Sequence, residues 1–364
     1  MRIALIDIDG HNFPNLPLMK LSAYHRQQGD TVEWYEPLLH SMGEPFDKAY
    51  MSKVFSFTPD YPYYVNAKEI IKGGSGYCIS LVDGKEVYDA AKDSNLPPEI
   101  ETIYPDYSIY YDKIPEVKNT AYGFLTRGCP RGCEFCHVGC KEGKRSYKVA
   151  DLDTFWRGQK NIVLLDPNIT ACKDWEDLFH QLIGSRAYID FSQGLDIRMM
   201  TEKKAEMLKQ MKIKNIHFAW DRLEDKSLVL PKFEMIKEIT GLRHDKLTVY
   251  MLVNFNTTTK EDLERVYTLR DLGFSPFVMI YNKDDFLICD KRGKPIKIKP
   301  ETELLKKYTR GQIEHFNVCW RLQRWVNNRI IFGSCQRFEE FDRSRRNLMH
   351  CRGQAVACVD LEST

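Results

Sequence analysis

Short apolar runs ending in Asp, Asn or Gly, each followed by a stretch of helical period, recur along most of this chain. Runs of large and β-branched residues bounded by turn formers read as buried strands, and apolar positions three and four apart read as helices. Within residues 1–115 the strand runs are 3–6, 31–35 and 49–55, and residues 16–28 form an amphipathic helix that Gly29 stops. Residues 67–71, ahead of Gly73-Gly74, read as a strand or helix end opening into a loop. The alternation predicts a small, mostly parallel, doubly wound flavodoxin-like sheet. Residues 85–118 carry Pro97, Pro98, Pro105 and Pro115 and read as an irregular linker. Tyr104, Tyr107, Tyr110 and Tyr111 in that linker read as interface packing in preference to base stacking.

Residues 116–285 repeat strand then helix. The strand runs are 121–125, 161–165, 188–192, 215–220, 247–253 and 276–281, with helices at 201–211 and 260–272 among those between. Parallel strands with crossover helices gather their chemistry at the strands' C-terminal ends. Those ends carry Asp166 and Asn168, then Gln193, Asp196 and Arg198, then Trp220, Asp221 and Arg222, then Asn254 and Phe255, and finally Tyr281. Residues 286–364 leave the pattern and predict a mostly helical extension. A long helix is expected over 316–331, with Trp320 and Trp325 inward and Arg321, Arg324 and Arg329 outward, and another over 338–346.

Composition narrows the function classes. The 364 residues are 43% hydrophobic and 29% charged, as in soluble globular chains. A net charge of +2 and a pI near 7.9 supply no bulk field for nucleic acid. Acids inside the first apolar run exclude a signal peptide, and no apolar run approaches the ~20 residues that span a bilayer, so a cytoplasmic protein without a membrane partner is expected. Eleven cysteines in such a chain point to metal ligands and free thiols, not a disulfide framework.

The chemistry is written in Thr126-Arg-Gly-Cys-Pro-Arg-Gly-Cys-Glu-Phe-Cys-His137, which places Cys129, Cys133 and Cys136 in a Cys-x3-Cys-x2-Cys pattern. Gly128, Gly132 and Pro130 let the backbone curl so that the three sulfurs converge. A [4Fe–4S] cluster takes four ligands, so three from one loop leave an iron open to a small molecule. Zinc is the rival reading, with Cys140 or His137 as fourth ligand. Cys351 and Cys358 lack further cysteines at cluster spacing and, with Cys319 and Cys335, read as free thiols.

This motif, directly after the run at 121–125, resembles the signature of the radical SAM superfamily. The resemblance implies a partial (β/α)6 barrel over 116–285, with the C-terminal extension closing its open side. It also implies a [4Fe–4S] cluster on Cys129, Cys133 and Cys136, and S-adenosyl-L-methionine chelated to the open iron. A reductant such as flavodoxin or ferredoxin would trigger release of a 5′-deoxyadenosyl radical. Phe135 and His137 would flank the cofactor. Asp166 and Asn168 would meet the methionine amino group, although the usual Gly-Gly-Glu is absent. Gln193, Asp196 and Arg198 would reach the ribose and carboxylate, and Asn254 belongs to the same cofactor set. A salt bridge to Asp196 or Asp221 is the plainer role for Arg198.

The N-terminal domain resembles the cobalamin-binding module of that superfamily in degenerate form. Pro14 stands where Asp9-Gly-His11 should lead to a glycine, so a cobalamin-free scaffold is expected. In size and layout the chain is similar to enzymes that salvage modified nucleobases, releasing queuine from queuosine or its 5′-phosphate. Such a nucleoside-like substrate would use Asp221 or Asp196 for the base edge and Trp220, Phe255 or Tyr281 as a flat wall. Lys144, Arg145 or Arg222 would meet a phosphate. Alternatives are an RNA-modifying methyltransferase or methylthiotransferase and a peptide-modifying enzyme.

Overall fold

The computed structural model describes residues 1–10, 13–82, 85–289 and 295–342, so His11, Cys351 and Cys358 lie outside the described residues. Contacts divide the chain into two compact units, Met1–Ala219 with Leu228–Leu247, and Trp220–Ser227 with Thr248–Thr364. The boundary expected near residue 115 falls inside the first unit.

That unit opens with a four-stranded sheet in the order β2-β1-β3-β4, built from β1 (Arg2–Asp7), β2 (Thr31–Trp34), β3 (Phe46–Ser52) and β4 (Ala67–Gly73). Every pair is parallel. Strands buried on both faces read as continuous apolar runs, which is why β1 was legible. Ile3 and Leu5 pack with Leu18 and Leu21 of helix α1 (Leu16–Gln27), while Ala4 and Ile6 pack with Tyr35, Phe46, Met51 and Val65. Asn15 caps α1 by accepting from Leu18 N at 3.2 Å.

The sheet is parallel as expected, but it is not wound by a helix at each crossover. Among the described residues before Thr120, α1 is the one helix longer than five residues. Pro59 and Pro62 break the connection between β3 and β4, and Tyr35, Tyr61 and Val65 cover the second face in place of a helix. A second departure lies where the linker begins: β5 (Ile79–Val82) and β6 (Lys85–Tyr88) pair antiparallel. Of the four tyrosines expected to pack, Tyr111 is exposed and Tyr104 half-buried. Tyr107 and Tyr110 are buried; Tyr107 donates to Phe155 O at 2.8 Å and Tyr110 to Asp7 at 2.6 Å.

Downstream, β7 (Thr120–Gly123) runs into a short antiparallel pair, β8 (Thr126–Arg127) with β9 (Tyr147–Lys148), whose connection carries the cysteines. A six-stranded sheet follows the order β14-β13-β12-β11-β10-β7, with β10 (Asn161–Leu164), β11 (Tyr188–Phe191), β12 (Lys212–Ala219), β13 (Leu247–Val253) and β14 (Ser275–Ile280). In the first unit β7, β10, β11 and β12 pair in parallel, with α2 (Trp175–Ser185) between β10 and β11 and α3 (Glu202–Gln210) between β11 and β12.

In the second unit β13 and β14 pair in parallel. The helices α4 (Thr259–Asp271) and α5 (Arg310–Val326) each open on a capping box, Thr258 with Glu261 and Thr309 with Gln312. The helix expected over 316–331 is two helices. Asn328 accepts from Ile330 N and Ile331 N and starts α6 (Arg329–Ser334), so a side-chain cap interrupts the apolar period. Trp325 is fully buried within this unit.

Candidate functional site

The cysteine loop is held by its own charged neighbours. Arg127 pairs with Glu142 at 2.9 Å, the other oxygen of Glu142 accepts Gly128 N at 3.0 Å, and Cys129 N donates to Gly143 O at 3.2 Å. Below the loop, Asp166 at the end of β10 is 3% exposed and accepts from Leu125 N at 3.1 Å and from Thr126 Oγ1 at 2.6 Å. Burial pushes its carboxyl up to about 6, while the bonds from Thr126 and Leu125 pull it down. Both oxygens of Asp166 are engaged by the chain itself, so the residue anchors the loop to β10.

Asn168 is the residue of that pair that reaches the cysteines. It is 2% exposed, and its side-chain amide lies 3.5 Å from Cys129 Sγ and 3.4 Å from Asp196. Amide donors to a ligating sulfur orient it and tune its basicity. Asp196 gathers the rest of this corner: one oxygen accepts Arg198 Nε at 2.8 Å and the other accepts Arg131 Nε at 2.5 Å. Burial alone would raise the Asp196 carboxyl, but the two guanidinium groups hold it below its ordinary value. The salt bridge to Asp196 is thus present for Arg198. Arg131, inside the cysteine loop, is a second cation at the same carboxylate that the sequence did not single out.

Cys129 and Cys133 are half-buried and Cys136 is exposed as a residue, yet its thiol is pushed up to about 11. Desolvation is the main cause, and Cys133, Glu86 and Cys129 add to it. Cys129, Cys133 and Cys136 are all free thiols on the one β8–β9 connection, a soft donor set that suits a thiolate-held metal centre.

Both donors of the zinc reading have partners, although the bond to His137 Nδ1 leaves its Nε2 open to a metal. His137 presents its backbone N and its ring Nδ1 to Glu86 at 2.9 and 2.7 Å, and Cys140 Sγ donates to His137 O at 3.1 Å. Glu86 comes from the β5–β6 pair, 51 residues upstream, and no local spacing announced it. Phe135 is half-buried in the loop, while Gln193, Lys144 and Arg145 are exposed.

In the second unit the residues named from sequence fall differently. Trp220 does not present a wall. It is 1% exposed and donates its indole N–H to Arg222 O at 2.7 Å, because the residue after an apolar strand run continued into the core. Asp221 accepts Leu252 N at 2.9 Å and Arg222 is exposed. Asn254, at a φ of 65°, donates to Tyr281 O at 3.0 Å. Phe255 and Tyr281 meet edge to face at 4.7 Å. No described helix is long and apolar enough to cross a membrane. No family model and no curated protein matches the chain.

Proposed function

We propose that this chain is a reductively triggered, S-adenosyl-L-methionine-dependent radical enzyme whose [4Fe–4S] cluster sits on Cys129, Cys133 and Cys136. The observation that carries the reading is the cysteine loop, which brings three free thiols onto one short connection and sets Cys129 beside the buried amide of Asn168. The loop follows the edge strand of a six-stranded α/β sheet, which supports a partial (β/α)6 barrel. When bound, the cluster would supply the electron that cleaves the sulfonium of S-adenosyl-L-methionine. The chain's own residues do the positioning: Asn168 steadies Cys129, and Asp196 holds Arg198 and Arg131 in one charged corner. A guanidinium there suits the methionine carboxylate.

For the substrate we propose a nucleoside or its 5′-phosphate, with queuine lyase activity as the specific reading. Its support is the chain's similarity in layout to base-salvage enzymes and the exposed Lys144 and Arg145 beyond the cluster loop. Anaerobic turnover of queuosine, its 5′-phosphate and intact tRNA, scored as 5′-deoxyadenosine and free base, tests it. Preference for the 5′-phosphate, lost in Lys144→Ala and Arg145→Ala, is the expected result. Since a charged hydrogen bond contributes ~1.5–3 kcal/mol, that loss should be on the order of 10- to 100-fold. Turnover on tRNA alone would favour an RNA-modifying enzyme.

A further inference from the structure

The second unit holds a mixed donor cluster that the proposed radical chemistry does not use. A carboxylate oxygen of Asp262, a ring nitrogen of His315 and Sγ of Cys319 all lie within 4.8 Å of one another. His315 and Cys319 are one helical turn apart on α5, so both side chains leave the same face, and Asp262 comes from α4. We propose that Asp262, His315 and Cys319 form a binding site for a divalent, borderline-soft metal ion of the zinc type, independent of the cysteine loop.

Three features of the cluster argue for this. The first is spacing. His315 Nε2 and Cys319 Sγ are 3.5 Å apart, and donors at ~2.05 and ~2.3 Å from a tetrahedral zinc stand ~3.5 Å apart. The second is an unmet need. Asp262 is fully buried, and its Oδ2 makes no hydrogen bond of good geometry, with only the Thr257 hydroxyl beside the carboxylate, although a buried carboxylate oxygen left so is costly. Oδ1 is already satisfied by Arg265 at 2.6 Å, so the guanidinium fixes the carboxylate and leaves one oxygen over.

The third is the outer shell. Thr259 Oγ1 lies 3.3 Å from His315 Nδ1, which orients the ring with Nε2 toward the sulfur, as outer-shell partners of metal-ligating histidines do. His315 is half-buried, which gives the ion a way in, and three protein donors leave a fourth position for water. The bound ion would also tie α4 to α5.

Cobalt(II) and zinc(II) are the probes, titrated into full-length protein carrying Cys129→Ala, Cys133→Ala and Cys136→Ala so that the loop thiols contribute nothing. One cobalt per chain, with tetrahedral d–d bands and a sulfur-to-cobalt charge-transfer band, is expected. Adding His315→Gln should weaken it by more than the ~10- to 100-fold that outer-shell changes cost. Adding Cys319→Ser should abolish the charge-transfer band. Zinc should raise the melting temperature of the parent and not of the His315→Gln protein, a readout that the half-buried His315 permits without opening the core. Folded protein that binds no cobalt, or cobalt spectra unchanged by both substitutions, overturns the proposal. If the triple background does not fold, zinc content and melting of wild type against His315→Gln decide it, and equal values overturn it.

Discussion

Alanine at Cys129, Cys133 and Cys136 together should leave the protein without iron or sulfide after anaerobic reconstitution. The argument rests on supply as much as on spacing. Cys78, Cys172 and Cys319 are buried, and Cys140 is engaged with the His137 carbonyl, so no other described set offers three thiols to one centre. Desolvation raises the Cys136 thiol further above its ordinary value, so metal binding there must displace its proton. Metal analysis checks this. A full complement of iron and sulfide in the triple variant would mean that the ligands lie elsewhere. Folding should survive, because the loop is tied down by Glu142 and Asp166 and not by the sulfurs.

Gly128→Ala should weaken iron binding strongly, and Gly132→Ala far less. Both glycines are in the left-handed region, with φ of 76° and 58°, where an L-residue pays ~1–2 kcal/mol. Their surroundings differ. A Cβ on Gly128 would sit 2.2 Å from the backbone oxygen of Arg145, so the two arms of the loop would have to part. A Cβ on Gly132 would meet only the flexible end of Lys144, at 3.8 Å. Opening the arms breaks the Gly128–Glu142 bond next to the first ligand, so iron affinity should fall on the order of 10- to 100-fold. Reconstitution of the two single variants side by side measures this. Equal iron retention would contradict the packing argument.

Much of this was legible in the sequence where burial is two-sided. β1 and the strands of the six-stranded sheet are short apolar runs ended by turn residues, and each lies close to where the pattern put it. Reading failed where a single side chain or a distant partner decides. Asn328 caps a new helix inside an unbroken apolar period. Glu86 reaches His137 across 51 residues, and Arg131 reaches Asp196 across 65. Trp220 looked like a strand-end wall because an apolar period does not tell whether its last residue turns out or in. His315 lies just before the helix expected over 316–331, so its spacing to Cys319 emerged only with the earlier start of α5 at Arg310, and Asp262 joins it through the packing of α4 on α5.

The central claim is that the cysteine loop carries a cluster that cleaves S-adenosyl-L-methionine. Its most direct test incubates reconstituted wild-type protein anaerobically with S-adenosyl-L-methionine and a low-potential reductant, and measures 5′-deoxyadenosine and methionine. Both should form in the wild type, depend on the reductant, and be absent from the triple-alanine protein. A wild-type protein holding its full iron and sulfide that forms no 5′-deoxyadenosine would contradict the account.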